Sequence, residues 1–299
     1  MNPSQLMKEP ATIDAQLSKL EERGCIIEDR VFAENVLEKI NYFRLANYFA
    51  VYAEDSSGKR YREGTTFRKV VRLYDFDRRL RGNLLVFLEE IEISMRAVIS
   101  NYHALQYGSL GYLKESSFSH HHNHVRFLAR IDRLIESNHD RGFVTHYNRK
   151  HSGAFPLWVI MELFSFGMLA HFFESLHKQD RKAIADKHFN EAISASHLQS
   201  WLESLAALRN HCAHYCRLYD NTTEPVPKVL ETAPFHMGDN LFSRIYVIKL
   251  MSKHNYKHDI YGLPEAVLLT ELSALFEEFG DVVEPEVMGF PDEWEEILE

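Results

Sequence analysis

Six side chains able to take part in chemistry lie close together near position 210. The segment 208–220 has the sequence LRNHCAHYCRLYD, in which the reactive types are Arg209, Asn210, His211, Cys212, His214 and Cys216. Residues of these types are used in zinc sites, in cysteine nucleophiles and in ribonucleases. They also occur at polar helix ends that have no catalytic role. The spacing of the residues has to distinguish these four interpretations.

A zinc site would require four ligands from this segment: His211, Cys212, His214 and Cys216. Structural zinc sites collect their ligands from two elements, whereas these four lie on one short segment. On a helix, His214 points away from the face that Cys212 and Cys216 share. A second set of nitrogen ligands occurs at His120, His121, His122 and His124, but a His-rich stretch of this kind is more typical of a solvated loop. We therefore expect no metal and no other cofactor.

A cysteine nucleophile is the second interpretation, with Cys212 close in sequence to His211 and His214. A catalytic cysteine usually meets its histidine through the fold rather than along adjacent residues. The sequence also contains no Gly-rich elbow, phosphate loop or dinucleotide fingerprint. The cysteine interpretation is therefore the weakest of the four.

Arg209 and His214 together suit the cleavage of RNA, although a polar cluster at a helix end is the commoner explanation of such a pair. A histidine can take the proton of a 2′-hydroxyl group or protonate the leaving 5′-oxygen, because its pKa lies near the working pH. An arginine can bind the phosphate and stabilise the charge that develops on it. The two residues lie about 140° apart on a regular helix, so two copies facing each other build a shared site more readily than one helix does.

A second polar stripe occurs in the segment EEIEISMRAVISNYH, with four polar residues at helical spacing: Glu89, Glu92, Arg96 and His103. All four fall within about 60° on one helical face. An internal Glu–Arg ion pair is the simplest explanation of such a stripe in an apolar helix. The alternative is a supporting role, in which the stripe lies inward and orients Arg209 or His214.

The charge of the chain is unevenly distributed. The net charge is −9, but residues 277–299 hold ten acidic residues and no Lys or Arg, and the other 276 residues carry a net charge of +1. The stretch 59–81 holds nine basic and three acidic residues, and such an excess attracts phosphate. The acidic segment is expected to be a mobile solubilising tail or, alternatively, a strand mimic that covers the 59–81 stretch or the cleft beside Arg209.

The apolar pattern predicts an all-α fold. Helices are expected from Arg68 to Gln106, with Gly82 as a point of division, and at 124–138, 157–177, 178–190 and 195–217. The connectors between them are irregular. We predict one helical domain over residues 1–276 and an acidic extension over 277–299. No apolar run is long enough for a membrane span, and the start of the chain is unlike a signal or transit peptide, so a bacterial cytoplasm is the expected location.

Several stretches resemble the abortive-infection (Abi) proteins of the AbiD/AbiF type, a bacterial phage-defence family. They occur in the family's order over about residues 15–250: LEERGCII, INYFRLANYF, GTTF, LYDFDRRLR, LEEIEISMRA, YGSLGYL, PLWVIMELFSFGMLAHFF and WLESLAALRNHCAHYCRLYD. That family looks like a branch of the HEPN superfamily of α-helical ribonucleases.

The resemblance implies a HEPN-type helical domain that acts as a metal-independent endoribonuclease in phage defence. The superfamily's mark is an Arg followed after four to six residues by a His, often with an Asn after the Arg, and it falls on Arg209, Asn210 and His214. Arg96 and His103 also fit this loose spacing but lack the Asn. RNA is the implied substrate, a regulatory RNA is a further candidate partner, and a homodimer is the implied assembly. The rival interpretation is a non-catalytic HEPN module that binds a structured RNA.

Overall fold

The fold is helical throughout the residues that a computed structural model describes, which are 9–55, 57–189, 193–255 and 266–299. In these ranges the β-type pairing consists of two isolated bridges, Ile26–Thr66 and Ala53–Tyr61, and no strand is present. The all-α prediction is confirmed. The α-helices are α1 Ile13–Glu22, α2 Arg30–Lys39, α3 Tyr42–Phe49, α4 Phe67–Tyr107, α5 His124–Ser137, α6 Gly142–Lys150, α7 Leu157–Ile160, α8 Phe166–Ser175, α9 Lys178–Phe189, α10 Ala195–Ala213, α11 Leu241–Asn255, α12 Ala266–Phe279 and α13 Trp294–Leu298.

Helix α4 is the central element of the fold. It begins where the Thr66 side chain accepts a hydrogen bond from the backbone N–H of Lys69, and it ends before Gly108, whose φ is +86°. Its 41 residues extend over about 60 Å. The helix continues through Gly82, because buried neighbours on both sides, Leu80 and Leu84, hold it against the core. The expected division at Gly82 was therefore wrong.

Six of the other helices pack against α4, α10 or both. Helices α3, α7, α10, α11 and α12 pack against α4, and α10 also packs against α8, α9 and α11. The two polar segments singled out in the sequence, one on α4 and one on α10, are thereby brought into contact. None of the helices in the described ranges combines the length and the apolar character that a membrane span requires.

Two predicted helices differ from the structure, one by an interruption and one by an early end. The predicted helix 157–177 is interrupted, because Phe164 is extended (φ −74°, ψ 137°) and the Ser165 side chain caps α8 by accepting from the N–H of Met168. The predicted helix 195–217 ends at Ala213, four residues early. Both interruptions lie beside the polar residues of interest, and the second one shapes the candidate site.

The acidic segment 277–299 packs onto the helical body instead of extending from it. Five of its apolar side chains are buried in the common core: Phe279, Val283, Met288, Phe290 and Leu298. The Phe290 ring contacts the rings of Phe242 and Phe276, with centroids 4.8 and 5.0 Å apart. The expectation of a mobile extension was wrong, because the apolar residues interspersed with the acids complete the core over α11 and α12.

Two acids at the start of this segment pair with the basic stretch 59–81. Asp281 lies 2.6 Å from Arg72, and Glu278 lies 2.7 Å from Arg79. The acidic segment was expected to cover either the 59–81 stretch or the cleft beside Arg209, and these pairs match the 59–81 stretch. All four side chains remain partly exposed, and exposed ion pairs contribute little to stability. An inhibitory effect of this contact on RNA binding stays a prediction.

Candidate functional site

The candidate site forms where α10 ends. The helix begins at Ser194, whose side chain accepts a hydrogen bond from the N–H of His197. Four leucines at helical spacing bury one face of it: Leu198, Leu202, Leu205 and Leu208. Arg209 and Asn210 follow directly in the next turn, and His214 is the residue that caps the helix. The three residues of the predicted motif therefore occupy the last turn and the cap.

A Schellman motif ends α10 and sets the position of His214. The N–H of Tyr215 donates to the carbonyl of Cys212, and the N–H of Cys216 donates to the carbonyl of His211. This pattern requires a left-handed residue after the cap, which is usually glycine. Here Tyr215 occupies this position with a φ of +60°. The left-handed conformation costs a residue with a side chain about 1–2 kcal/mol.

Arg44 of α3 holds Tyr215 in this conformation. Its guanidinium donates to the Tyr215 carbonyl oxygen at 3.1 Å and lies 5.5 Å from the centre of the Tyr215 ring. Local strain that a specific contact maintains is common at functional sites. The strained residue is adjacent to His214, so Arg44 is a positioning residue for the end of the motif.

A buried carboxylate on α4 fixes the chain just beyond the motif. Asp77 accepts hydrogen bonds from the N–H groups of Leu218 and Tyr219, at 3.0 and 2.9 Å, and from the hydroxyl of Tyr48 at 2.7 Å. It also forms an ion pair with Arg81.

Arg81 in turn donates to the Cys216 carbonyl oxygen at 3.0 Å. Asp77, Arg81 and Tyr48 were not predicted from the sequence as residues that position the site. A signal was present, because Asp77 and Arg81 are four residues apart on the same helical face as the apolar Leu73, Leu80 and Leu84.

Glu92 of α4 fixes the side chain of Arg209. One Glu92 carboxylate oxygen lies 3.2 Å from Nε and 3.1 Å from Nη2 of Arg209. The Oδ1 atom of Asn210 accepts a hydrogen bond from Nη1 of Arg209 at 3.0 Å. A guanidinium group has five N–H donors, so one donor on each terminal nitrogen remains for a ligand. Arg209 is thus oriented and still able to bind a phosphate oxygen.

Arg96 completes this cluster from the next turn of α4. Its Nη2 atom donates to Glu92 at 2.8 Å and to the carbonyl oxygen of Phe164 at 3.0 Å, and its Nη1 atom lies 3.6 Å from Glu162. The predicted internal Glu–Arg pair and the predicted contact between the α4 stripe and the 209–214 segment both occur. They share one carboxylate, because Glu92 contacts Arg96 and Arg209 simultaneously.

Two residues of the predicted α4 stripe do not join the cluster. Glu89 is exposed to solvent, and His103 is fully buried among the rings of Tyr107, Phe118 and Phe172. Burial lowers the pKa of His103 to about 4, so its imidazole is neutral near pH 7. Neither residue forms a hydrogen bond or ion pair with Arg209 or His214 in the described part of the chain, because residues on one helical face meet different neighbours along a helix of about 60 Å. A supporting role for these two residues stays a prediction.

The imidazole of His214 is exposed at the end of α10. Its backbone N–H donates to the Asn210 carbonyl oxygen at 2.9 Å, whereas its side chain forms no hydrogen bond, ion pair or ring contact with the residues that the structure describes. Arg209 and His214 therefore share one helix end but are not in direct contact. A single protomer presents a fixed guanidinium and a nearby free imidazole.

The zinc and cysteine interpretations gain no support from this geometry. In the described part of the chain, no three His, Cys, Asp or Glu side chains converge as metal ligands. His211 is instead within hydrogen-bond distance of the Thr223 hydroxyl, with Nδ1 and Oγ1 3.2 Å apart. Cys212 is buried, and burial raises the pKa of its thiol to about 12. A protonated thiol is a poor nucleophile.

The comparisons with known proteins differ in their outcome. Neither a curated protein nor a solved structure matches the chain. The model of the Abi-like protein family matches residues 35–220, a range that includes Asp77, Glu92, Arg96 and the whole segment from Arg209 to His214. The match covers more than half of the 299 residues. The chain therefore belongs to the Abi-like protein family, and this membership indicates a role in abortive infection, a defence of bacteria against phage.

Proposed function

We propose that the protein is a HEPN-type endoribonuclease that acts in the bacterial cytoplasm, where RNA cleavage halts the growth of the infected cell. The observation that carries this proposal is the fixed guanidinium of Arg209 beside the exposed imidazole of His214. Arg209 is the phosphate-binding group, His214 the general acid or base, and Asn210 the residue that orients Arg209. Glu92 and Arg96 act through Arg209 as positioning residues.

These residues suit transesterification at an RNA phosphate. The 2′-oxygen of the RNA attacks the adjacent phosphorus, the bond from phosphorus to the 5′-oxygen breaks, and a 2′,3′-cyclic phosphate forms. One imidazole accepts the 2′-hydroxyl proton and an imidazolium delivers a proton to the leaving 5′-oxygen. The free N–H groups of Arg209 stabilise the charge on the nonbridging phosphate oxygens. The nucleophile belongs to the RNA, and both proton transfers are within the capacity of histidine.

The products of cleavage test this proposal. RNA incubated with the protein is expected to carry 2′,3′-cyclic phosphate and 5′-hydroxyl ends, and cleavage is expected to continue in excess EDTA. Mass spectrometry of the fragments and end-specific labelling identify the ends. Cleavage that stops with EDTA and resumes when Mg²⁺ or Zn²⁺ is added contradicts the mechanism.

A second copy of the chain is the proposed partner that completes the site. One imidazole serves one of the two proton transfers, so the two His214 side chains of a symmetric dimer can serve both. An exposed stripe on α4 supports this arrangement: Val86 and Ile93 are 45% and 42% exposed, and Ala97 lies on the same helical face. The stripe runs beside Glu92, so a second copy bound there lies next to Arg209.

The mass of the protein in solution tests the dimer. The wild type is expected to be dimeric and Ile93→Asp to be monomeric, because the dimer would bury the introduced carboxylates without a partner. The monomeric variant is expected to cleave RNA at least about tenfold more slowly. Val31→Asp is the matched control, since Val31 is an exposed apolar residue of α2, outside the stripe. Sedimentation or light scattering at micromolar concentration gives the masses. A monomeric wild type that cleaves RNA refutes the arrangement.

A further inference from the structure

A groove lined by histidines lies on the surface formed by residues 116–123, α8 and α9. Its volume is about 900 Å³. Five imidazoles line it: His120, His121, His122, His171 and His177. Lys178 and Arg181 of α9 and Gln199 of α10 line the same groove. The proposed catalytic cluster does not use any of these residues.

A smaller cavity continues this groove along α5 and α8. The cavity has a volume of about 230 Å³ and shares four lining residues with the larger one: His122, Asn123, His171 and Ser175. It adds the exposed guanidinium groups of Arg126 and Arg130 and the ring of Phe127. The two cavities form one continuous surface, which we name the basic groove.

The groove carries an excess of positive charge. Four permanent cations line it: Arg126, Arg130, Lys178 and Arg181. Of the lining residues that the structure describes, one has a carboxylate, Glu174, which lies 3.0 Å from Nδ1 of His171. Such a surface attracts anions, and phosphate in particular.

Two buried polar atoms at the groove lack a hydrogen-bond partner within the described protein. Arg181 donates from Nη1 to Gln199, but its buried Nε atom has no partner, and neither has the buried Nε2 atom of His122. Buried polar atoms are usually satisfied, so these two atoms are unsatisfied polar groups in the walls of the groove. The described residues contain no metal-ligand cluster, and a ligand with acceptor oxygens therefore suits the groove better than a metal ion.

The groove also contains aromatic surface. The His122 ring stacks on Phe118 with centroids 4.2 Å apart and an interplanar angle of 21°. The rings of His120 and His121 lie 3.7 Å apart and are exposed to solvent. Sites for single-stranded nucleic acids combine a positively charged groove for the backbone with flat rings on which bases stack. Both features are present here.

The position of the groove connects it with the catalytic cluster. Phe164, whose carbonyl oxygen accepts from Arg96, lies two residues before the start of α8, and Met168 in the first turn of α8 lines the groove. From Met168, helix α8 runs about 10 Å to Ser175, which also lines the groove. The groove therefore begins about one helical turn from the Arg96–Glu92–Arg209 cluster and leads away from it.

We propose that the basic groove binds the single-stranded RNA that flanks the cleaved phosphate. This inference rests on the proposed ribonuclease function and extends it to the class of substrate. The backbone phosphates lie along Arg126, Arg130, Lys178 and Arg181, and the bases stack on the histidine rings. Single-stranded segments are then preferred over duplex RNA, because paired bases cannot present their faces to the rings.

Binding of a labelled 12-nucleotide single-stranded RNA tests the groove directly. All proteins carry His214→Ala, so that the RNA stays intact. The variant Arg126→Glu/Arg130→Glu is expected to bind at least about tenfold more weakly at low salt, and the slope of log affinity against log salt is expected to fall by about 1.4, since each phosphate contact to a single strand contributes about 0.7. The matched control is Arg149→Glu/Lys150→Glu, which changes two exposed basic residues of α6 that do not line the groove.

Cleavage by the same pairs of variants with His214 intact separates this inference from the proposed function. The groove variant is expected to cleave the 12-nucleotide RNA more slowly and to cleave the dinucleotide UpA at the wild-type rate, because a dinucleotide does not reach the groove. A wild type that binds RNA through the groove but cleaves nothing refutes the ribonuclease and leaves the groove supported. Equal RNA affinity in the groove variant and its control overturns the groove, whatever the cleavage activity. Thermal unfolding confirms that both variants fold.

Discussion

Replacing His214 by alanine is expected to lower the rate of RNA cleavage by about 10²–10⁴-fold, the usual loss when a general acid or base is removed. The fold should be unchanged, because the His214 side chain is exposed and only its backbone N–H takes part in the helix cap. RNA affinity should also remain, since the phosphate-binding Arg209 is untouched. Single-turnover cleavage and RNA binding, measured on the same preparation, separate the two effects.

His211→Ala is the matched control for this variant. His211 lies three residues earlier on α10, within hydrogen-bond distance of Thr223, and its removal is expected to leave the cleavage rate within a fewfold of the wild type. An equal loss in both variants contradicts the assignment of His214. If the wild type binds RNA tightly but neither protein cleaves it, the non-catalytic RNA-binding module is the correct interpretation.

Asp77→Ala is expected to lower the free energy of unfolding by about 3–5 kcal/mol. The change leaves the buried guanidinium of Arg81 without its carboxylate, and removing one partner of a buried ion pair is destabilising by about this amount. It also removes the acceptor of the N–H groups of Leu218 and Tyr219. Chemical unfolding followed by circular dichroism gives the difference in free energy.

Asp75→Ala provides the comparison on the same helix. Asp75 pairs with Arg78 and Arg79 at the partly exposed side of α4, and exposed pairs contribute about 0–1 kcal/mol. A loss for Asp77→Ala no larger than for Asp75→Ala contradicts the role of the buried pair. Cleavage below the unfolding transition reports on the site itself: a loosened 215–219 segment is expected to slow cleavage in the folded Asp77→Ala protein.

The helical class and most helix positions could be predicted from the sequence, because apolar spacing depends only on the helical repeat. The interruptions could not. Helix α10 ends at Ala213 because Tyr215 adopts a left-handed conformation that Arg44 maintains. A tyrosine at that position does not predict a helix end from the local sequence, since the contact that stabilises its left-handed conformation comes from a residue distant in sequence.

The chemical types and spacing of Arg209, Asn210 and His214 were evident from the sequence alone, and so was the helical stripe that contains Glu92 and Arg96. Tertiary structure decided which members of the stripe reach the motif. Periodicity gives the angle of a residue around a helix axis. The burial and the contacts of that residue depend instead on which element packs against the helix at its position along the axis. At Glu92 the neighbour is Arg209 of α10, at His103 it is an aromatic cluster, and at Glu89 it is solvent. The packing of α4 against α10 therefore selects, from one stripe of four polar residues, the carboxylate that fixes the arginine.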